Sequence, residues 1–338
     1  MSKTSYTYLR ASLLFKELEA LCPYKLTQRR DGRGNLLGYK ALAVREADLL
    51  MKQYPDTSPE PERYYNAAYG RIAALKNEML QMRKDGLLED HAHNGSIKTL
   101  ITNFTEQLYT HFSVYRKRYN DNYREAVKVR TAKENRIEIE PEYFLDKAKL
   151  VLSYIPEDNK EELNWKDVSC AIALCTGRRM GEIHLSGEFK QLDDYQLSFK
   201  GQLKGKSRTE GGSLLRDVLF EIPTLIPANL IIDGINWLDA KGKRLDPREY
   251  KPKDVNNRYS KYLSERCKAL WSIIDYEGMR YHNFRKAYGI CASHNFVNET
   301  GSILDAFDYL TDILGDQDVS TLRAYNLFKV APGQKTKL

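Results

Sequence analysis

Residues 176–183 read Thr176-Gly177-Arg178-Arg179-Met180-Gly181-Glu182-Ile183, a glycine and two arginines at the junction of two expected helices. The residues before it, 163–175, place Trp165, Val168, Ile172 and Cys175 at helical spacing, which predicts a buried helix. Gly177 can take a positive φ without strain and end that helix. A second helix is expected to begin almost at once, leaving two arginines near a helix N-terminus, where anions are favoured.

Three more pieces of the sequence carry concentrated chemistry. Downstream, residues 195–199 alternate apolar and polar, as do Val218, Phe220 and Ile222, which predicts two antiparallel strands. Gly205 and Gly211-Gly212 supply the turn between them. The run Phe199-Lys200-Gly201-Gln202-Leu203-Lys204-Gly205-Lys206-Ser207-Arg208 thus puts several cations at a hairpin tip. Further on, His282-Asn283-Phe284-Arg285 sets His282 and Arg285 three residues apart on one helix. Last, Leu314-Gly315-Asp316 ends a helix, and Tyr325 follows the glycine by ten residues. Each piece alone also fits a solvated surface; their order and spacing set them apart.

An arginine in T-G-x-R-x-x-E-I, a hairpin lysine, H-x-x-R, then L-G and a tyrosine resembles the tyrosine recombinase superfamily over residues 176–325. Within it, the runs 176–189 and 199–206 are most similar to the telomere resolvases, or protelomerases. The resemblance implies Arg179, Lys204, His282 and Arg285 as the cationic catalytic set and Tyr325 as the nucleophile. Lys206 is the alternative hairpin lysine, and Arg178 and Asp316 are possible accessory residues. The family usually has His or Trp where Asp316 stands, and a carboxylate beside a phosphate is repelled unless it is protonated, turned away or paired.

That resemblance further implies cleavage and rejoining of double-stranded DNA through a 3′-phosphotyrosyl intermediate. In this subfamily a palindromic replicated telomere becomes two covalently closed hairpin ends, with a dimer on the DNA. A conventional integrase, exchanging strands between duplexes, is the alternative. Two arginine forks suit the extra charge on the non-bridging oxygens of a pentacoordinate phosphorane. A lysine can protonate the departing 5′ oxygen. The phenol, ordinarily titrating near about 10, becomes nucleophilic beside cations. Because the covalent link conserves the phosphodiester's energy and the side-chain cations take the place of a metal, no cofactor is expected.

The first half reads differently. Helices are predicted over 5–21, 44–54, 62–85 and 97–130, with the three prolines of 55–61 in a loop and Ser96 as an N-cap. Residues 1–150 hold 26 Lys+Arg against 20 Asp+Glu, most of the chain's net +7. The most basic stretch, 116–136, contains Arg116, Lys117, Arg118, Arg124, Lys128 and Arg130, interleaved with Tyr115, Tyr119 and Tyr123. Either the tyrosines pack inward from a solvated helix, or the helix lies along DNA phosphates and adds affinity without sequence information.

The 338 residues suggest two domains, 1–135 helical and DNA-clamping, 136–338 catalytic. A helix at 142–155 behind Pro141 opens the second, and 253–330 returns to helix. The expected class is mainly α with a small antiparallel sheet (α+β). No run approaches 18 apolar residues, and the N-terminus leads into an amphipathic segment, so no membrane span or signal peptide is expected. Five cysteines without C-x-x-C spacing argue against a structural zinc and for a reduced, cytoplasmic setting.

Overall fold

The computed structural model describes residues 6–21, 38–52, 61–86, 94–155, 163–203, 209–210, 213–214, 217–271, 278–303, 305–315 and 324–332. Contacts divide the chain into two compact units, Met1–Ala126 and Val127–Leu338.

The first unit is helical. It contains α1 (Tyr6–Leu21), α2 (Tyr39–Lys52), α3 (Pro61–Lys84) and most of α4 (Asn94–Thr131). Apolar residues recurring every three to four positions build its core: Leu14 and Leu18 of α1, Ile72, Leu75 and Met79 of α3, and Ile97, Ile101, Phe104 and Leu108 of α4. Arg10 donates in a bidentate fork to the buried carboxylate of Glu46 on α2. Three sequence expectations shift. The α2 helix begins five residues earlier than expected. Pro61 opens α3 instead of closing a loop, as a first-turn proline can because its missing N–H has no helical partner. Ser96 lies inside α4, whose backbone is already helical from Asn94.

From residue 113 to 130, α4 is solvent-exposed almost all round. Arg116, Lys117, Arg118, Arg124, Lys128 and Arg130 are all exposed. The tyrosines do not share one fate. Tyr115 packs against the core, whereas Tyr123 is 56% exposed. The guanidinium of Arg116 sits 4.2 Å over the ring of Tyr69, which stacks on Tyr109.

The second unit starts with β1 (Ile137–Ile139) and α5 (Pro141–Ser153), followed by α6 (Trp165–Thr176). Every residue of α6 from Val168 to Thr176 is buried, because α5, α7 (Ala228–Ala240), α8 (Pro252–Leu270) and α9 (Tyr281–Thr300) surround it. The predicted one-sided apolar face is therefore a helix buried on all sides. A three-stranded antiparallel sheet lies beside this bundle in the order β2 (Glu188–Asp193), β3 (Gln196–Lys200), β6 (Phe220–Pro223). Phe199 pairs with Phe220 and Leu197 with Ile222, so the alternation read in the sequence faces these side chains into the core. Between β3 and β6, β4 (Thr209–Glu210) pairs with β5 (Ser213–Leu214).

The C-terminal region is not all helix, contrary to expectation. After α10 (Ala306–Leu314), a 3-10 turn at Ala324–Leu327 leads into β7 (Phe328–Val330), which pairs in parallel with β1. Strands of three residues carry too few alternations to be told from helix by pattern.

Gly177 caps α6 at φ 66°, and a Cβ there would stand 2.3 Å from the ring of Tyr288 on α9. Gly177→Ala should therefore destabilise by roughly 3 kcal/mol, about 1 for the left-handed backbone and about 2 for overpacking. Urea unfolding checks this; a change under about 0.5 kcal/mol would show that the α6–α9 contact yields.

Candidate active site

The site is built where α6 ends. Past Gly177, Arg179 starts a short turn that closes as one π-helical turn, Glu182–Ser186, with the Gly187 N–H returning to the Glu182 carbonyl at 2.7 Å. Glu182 is fully buried and serves twice. Its Oε2 accepts from the Arg179 backbone N–H at 2.9 Å, as in a capping box, and its Oε1 accepts from Arg179 Nη1 at 2.8 Å. Burial disfavours its charge, but Arg179, Arg285 and Arg178 together outweigh that and hold the carboxyl below the usual range. Arg179 is thereby fixed by a buried anion one turn away.

Arg178, its neighbour, turns inward and is 1% exposed. Its Nε donates to the Thr176 carbonyl at 3.1 Å, its Nη2 donates to the Ile313 carbonyl, and its guanidinium lies 4.7 Å over the Phe199 ring. Burial, reinforced by Arg285, pulls its pKa down to about 10, so it stays charged at neutral pH.

Arg285 rises from the first turns of α9 and is likewise 1% exposed. Nη1 donates to the Gly177 carbonyl at 2.6 Å and Nη2 to the Leu314 carbonyl at 2.7 Å. Its Nε donates to the phenolic oxygen of Tyr325 at 2.7 Å. One planar fork thus joins the end of α6, the end of α10 and Tyr325, which is itself 3% exposed. His282 is exposed on the same helix turn.

Of the residues singled out by sequence, the structure brings Arg285 and Tyr325 into contact and sets Arg178 and Arg179 on the turn whose Gly177 carbonyl receives Arg285. Lys204, Lys206 and Asp316 lie outside the described residues. Gly201 and Gln202, which lead into the lysine hairpin, are described. Gly201 has φ 105°, and a Cβ on it would stand 2.0 Å from the Ser186 carbonyl oxygen. The next N–H but one, of Leu203, donates to Glu182 Oε1 at 3.3 Å, so the hairpin's root is tied to the Arg179 anchor.

A family model for the telomere resolvase ResT/TelK catalytic domain matches residues 135–328. This chain belongs to the telomere resolvase family. The chain is similar to the protelomerase of Klebsiella oxytoca phage phiKO2, 29% identical over 176 residues, and to that of Escherichia phage N15, 28% identical over 176 residues. Each alignment covers 49% of this chain and 27% of the relative. A TelA protelomerase mutant complexed with DNA hairpin product matches with a TM-score of 0.62, at 15% identity, over 94% of both chains. Protelomerase TelK complexed with substrate DNA matches at 0.53 and 19% identity, over 96% of this chain and 60% of that one. At these identities the likeness shows the fold: mainly helical, with the small antiparallel sheet expected from the alternating residues.

Two features of this telomere resolvase site escape the sequence. One is Gln202, which hides among the cations of its hairpin. The other is a buried polar chain behind the site. His184, on the π-helical turn, directs Nδ1 to the Lys243 carbonyl at 2.8 Å and Nε2 to Ser169 Oγ at 2.7 Å. Ser169 Oγ lies 2.8 Å from the Tyr281 hydroxyl, which is also 3.0 Å from the Ser169 carbonyl. The carbonyl at one end fixes every proton: Nδ1–H donates, Nε2 accepts from the serine, and the tyrosine donates to Ser169. The chain links the turn bearing Arg179 to the residue preceding His282. A histidine in an apolar run, Glu182-Ile183-His184-Leu185, carries no pattern that announces it.

Burial depresses the His184 pKa to about 4, outweighing the help of its bond to the Lys243 carbonyl, with Arg244 and Lys243 lowering it further. Between about 6.5 and that value the unfolded chain binds a proton that the folded one excludes. Stability is therefore full above about pH 6.5 and falls with pH toward 4, by roughly 3 kcal/mol in all. Urea titrations at about pH 7 and about pH 4.5 should show His184→Gln losing much of the slope of wild type. An equal slope in the variant would assign the acid sensitivity to other groups.

Proposed function

We propose that this chain cleaves and rejoins double-stranded DNA and converts replicated telomeres into covalently closed hairpin ends. The observation that carries the reading is the Arg285 fork, whose Nε donates to the Tyr325 phenol while Nη1 donates to the Gly177 carbonyl at the start of the Arg179 turn. The phage protelomerases and the DNA-bound structures it resembles support telomeric DNA as the partner.

In this mechanism the Tyr325 oxygen attacks the scissile phosphorus in line with the 5′ oxygen. The phosphorus–O5′ bond breaks as the tyrosyl–phosphorus bond forms, leaving a 3′-phosphotyrosine and a 5′ hydroxyl. The tyrosine proton passes to solvent, and Lys204, with Lys206 as the alternative, gives a proton to the leaving oxygen. Arg179 and Arg285 place preorganised charge against the non-bridging oxygens, and His282 adds a hydrogen bond. Glu182 keeps Arg179 in place without neutralising the site, since Arg178 and Arg285 leave an excess of positive charge. Attack by the 5′ hydroxyl of the opposite strand reverses the bond changes and closes a hairpin. Two protomers on a palindrome, acting in the cytoplasm, would process both strands.

The helical region 1–135 serves as a DNA clamp in this reading. The exposed cations of α4 between 116 and 130 span about 21 Å of helix, enough to follow several phosphates. Among the described residues no group of His, Cys, Asp and Glu could hold a metal ion, and no helix is long and apolar enough to cross a membrane.

With a duplex carrying the palindromic replicated telomere of the chain's own replicon, the expected product on a denaturing gel is a snap-back hairpin. It should form in EDTA without nucleotide, and Tyr325→Phe should bind the duplex but yield none. Strand-exchanged duplexes without hairpins would favour a conventional recombinase, and a strict Mg²⁺ requirement for cleavage would contradict the mechanism. Neutralising Lys117, Arg118, Arg124 and Lys128 should weaken binding to all sequences alike and lower the log–log salt slope by about 0.9 per lost phosphate contact. An unchanged slope would remove α4 from the interface.

A further inference from the structure

Three buried side chains from three elements converge on the C-terminal end of α10. Arg178 Nη2 donates to the Ile313 carbonyl, Arg285 Nη2 to that of Leu314, and Gln202 Nε2 lies 3.0 Å from the carbonyls of both Leu314 and Gly315. Each of the three side chains is 1% exposed. A helix end carries unpaired carbonyls and partial negative charge, which a left-handed glycine usually caps. Gly315 does so here at φ 62°, with its N–H 2.7 Å from the Thr311 carbonyl, and the buried donors are added to that cap. Glycine and glutamine are matched: a Cβ on Gly315 would stand 2.8 Å from Gln202 Nε2.

Holding this helix end matters because of what lies on either side of the clamp. The chain runs from Gly315 to Tyr325 in ten residues, and Lys204 is two residues past Gln202. The adjoining Leu203 N–H is bonded to Glu182, which grips Arg179. The dipeptide Gln202-Leu203 therefore joins the segments bearing the first arginine, the hairpin lysine and the tyrosine. The arrangement is also more polar than packing needs. Gln202 Oε1 and Arg178 Nη1 are buried with no hydrogen-bond partner among the described residues. Such groups cost stability, and an apolar side chain of the same size would avoid the cost.

We propose that Gln202 and Arg178 are positioning residues for cleavage: they lock the end of α10, and through it Tyr325, to the strand that leads into the hairpin lysine. The consequence for rate rests on the cleavage reading above, whereas the lock itself can be tested without DNA.

Gln202→Met keeps the volume and removes the donors, and Gln202→Glu turns an acceptor toward two carbonyl oxygens. In DNA-free protein, nitration by tetranitromethane, mapped on the peptide Ala324–Lys329, should rise about tenfold or more at Tyr325 in both variants. Tyr281 and Tyr288, buried in the same unit with their hydroxyls bonded to the Ser169 and Pro223 carbonyls, should stay as protected as in wild type. On the palindromic telomere duplex, single-turnover adduct formation should slow by about 10- to 100-fold, the scale of a reacting atom misplaced by about 1 Å, with duplex affinity unchanged. Arg178→Lys, which keeps the charge but loses the fork, should show the same split. Unchanged nitration at Tyr325, or nitration rising equally at all three tyrosines, overturns the proposal. So does loss of affinity in proportion to rate. If wild type forms no adduct on the duplex, the cleavage reading falls, and the nitration contrast still decides the lock. Should Gln202→Glu fail to fold, Gln202→Met carries both measurements.

Discussion

A guanidinium buried to 1% exposure must have its donors met inside the protein, and Arg285 meets that constraint with the ends of two helices and a phenol. An uncompensated buried charge would cost several kcal/mol. The compensation comes from the Gly177 carbonyl at the end of α6 and the Leu314 carbonyl at the end of α10, both at the negative poles of helices. The third partner is the Tyr325 oxygen. Meeting the demand of one side chain therefore assembles three segments far apart in sequence.

The remaining charges follow from this arrangement. Arg178 and Arg179 sit beside Arg285, and three cations in one buried region repel one another. Glu182 answers that repulsion, which is why it stays ionised despite complete burial. The short capped turn and its π-helical closure put the carboxylate where it bonds the Arg179 side chain and backbone together. The result is a site with excess positive charge whose parts are held by carbonyls and one anion, the electrostatic condition for stabilising a phosphorane.

The legible part of the sequence was the part with strong local chemistry. Gly177, the T-G-x-R-x-x-E run, H-x-x-R and the alternation of β3 and β6 each follow from a local rule of capping, spacing or pleat. The fold class and the family were readable from them together. Less legible was whatever depends on long-range closure. β1 and β7 are three residues each and exist only because they pair with one another. The inward turn of Arg178 toward Ile313 could not be told from the seat of Arg179 on Glu182, since the choice rests on Ile313 and Phe199, far along the chain. Gln202 and His184 have no pattern of their own, and their meaning comes from carbonyls contributed by other elements.

In the proposed reaction the phenol held by Arg285 is the group that attacks DNA. Trapped protein–DNA adduct, digested with trypsin and nuclease, can be sequenced by mass spectrometry. The 3′-phosphonucleotide should be carried by the peptide Ala324–Lys329, on Tyr325. A nucleotide attached to any other peptide would contradict it.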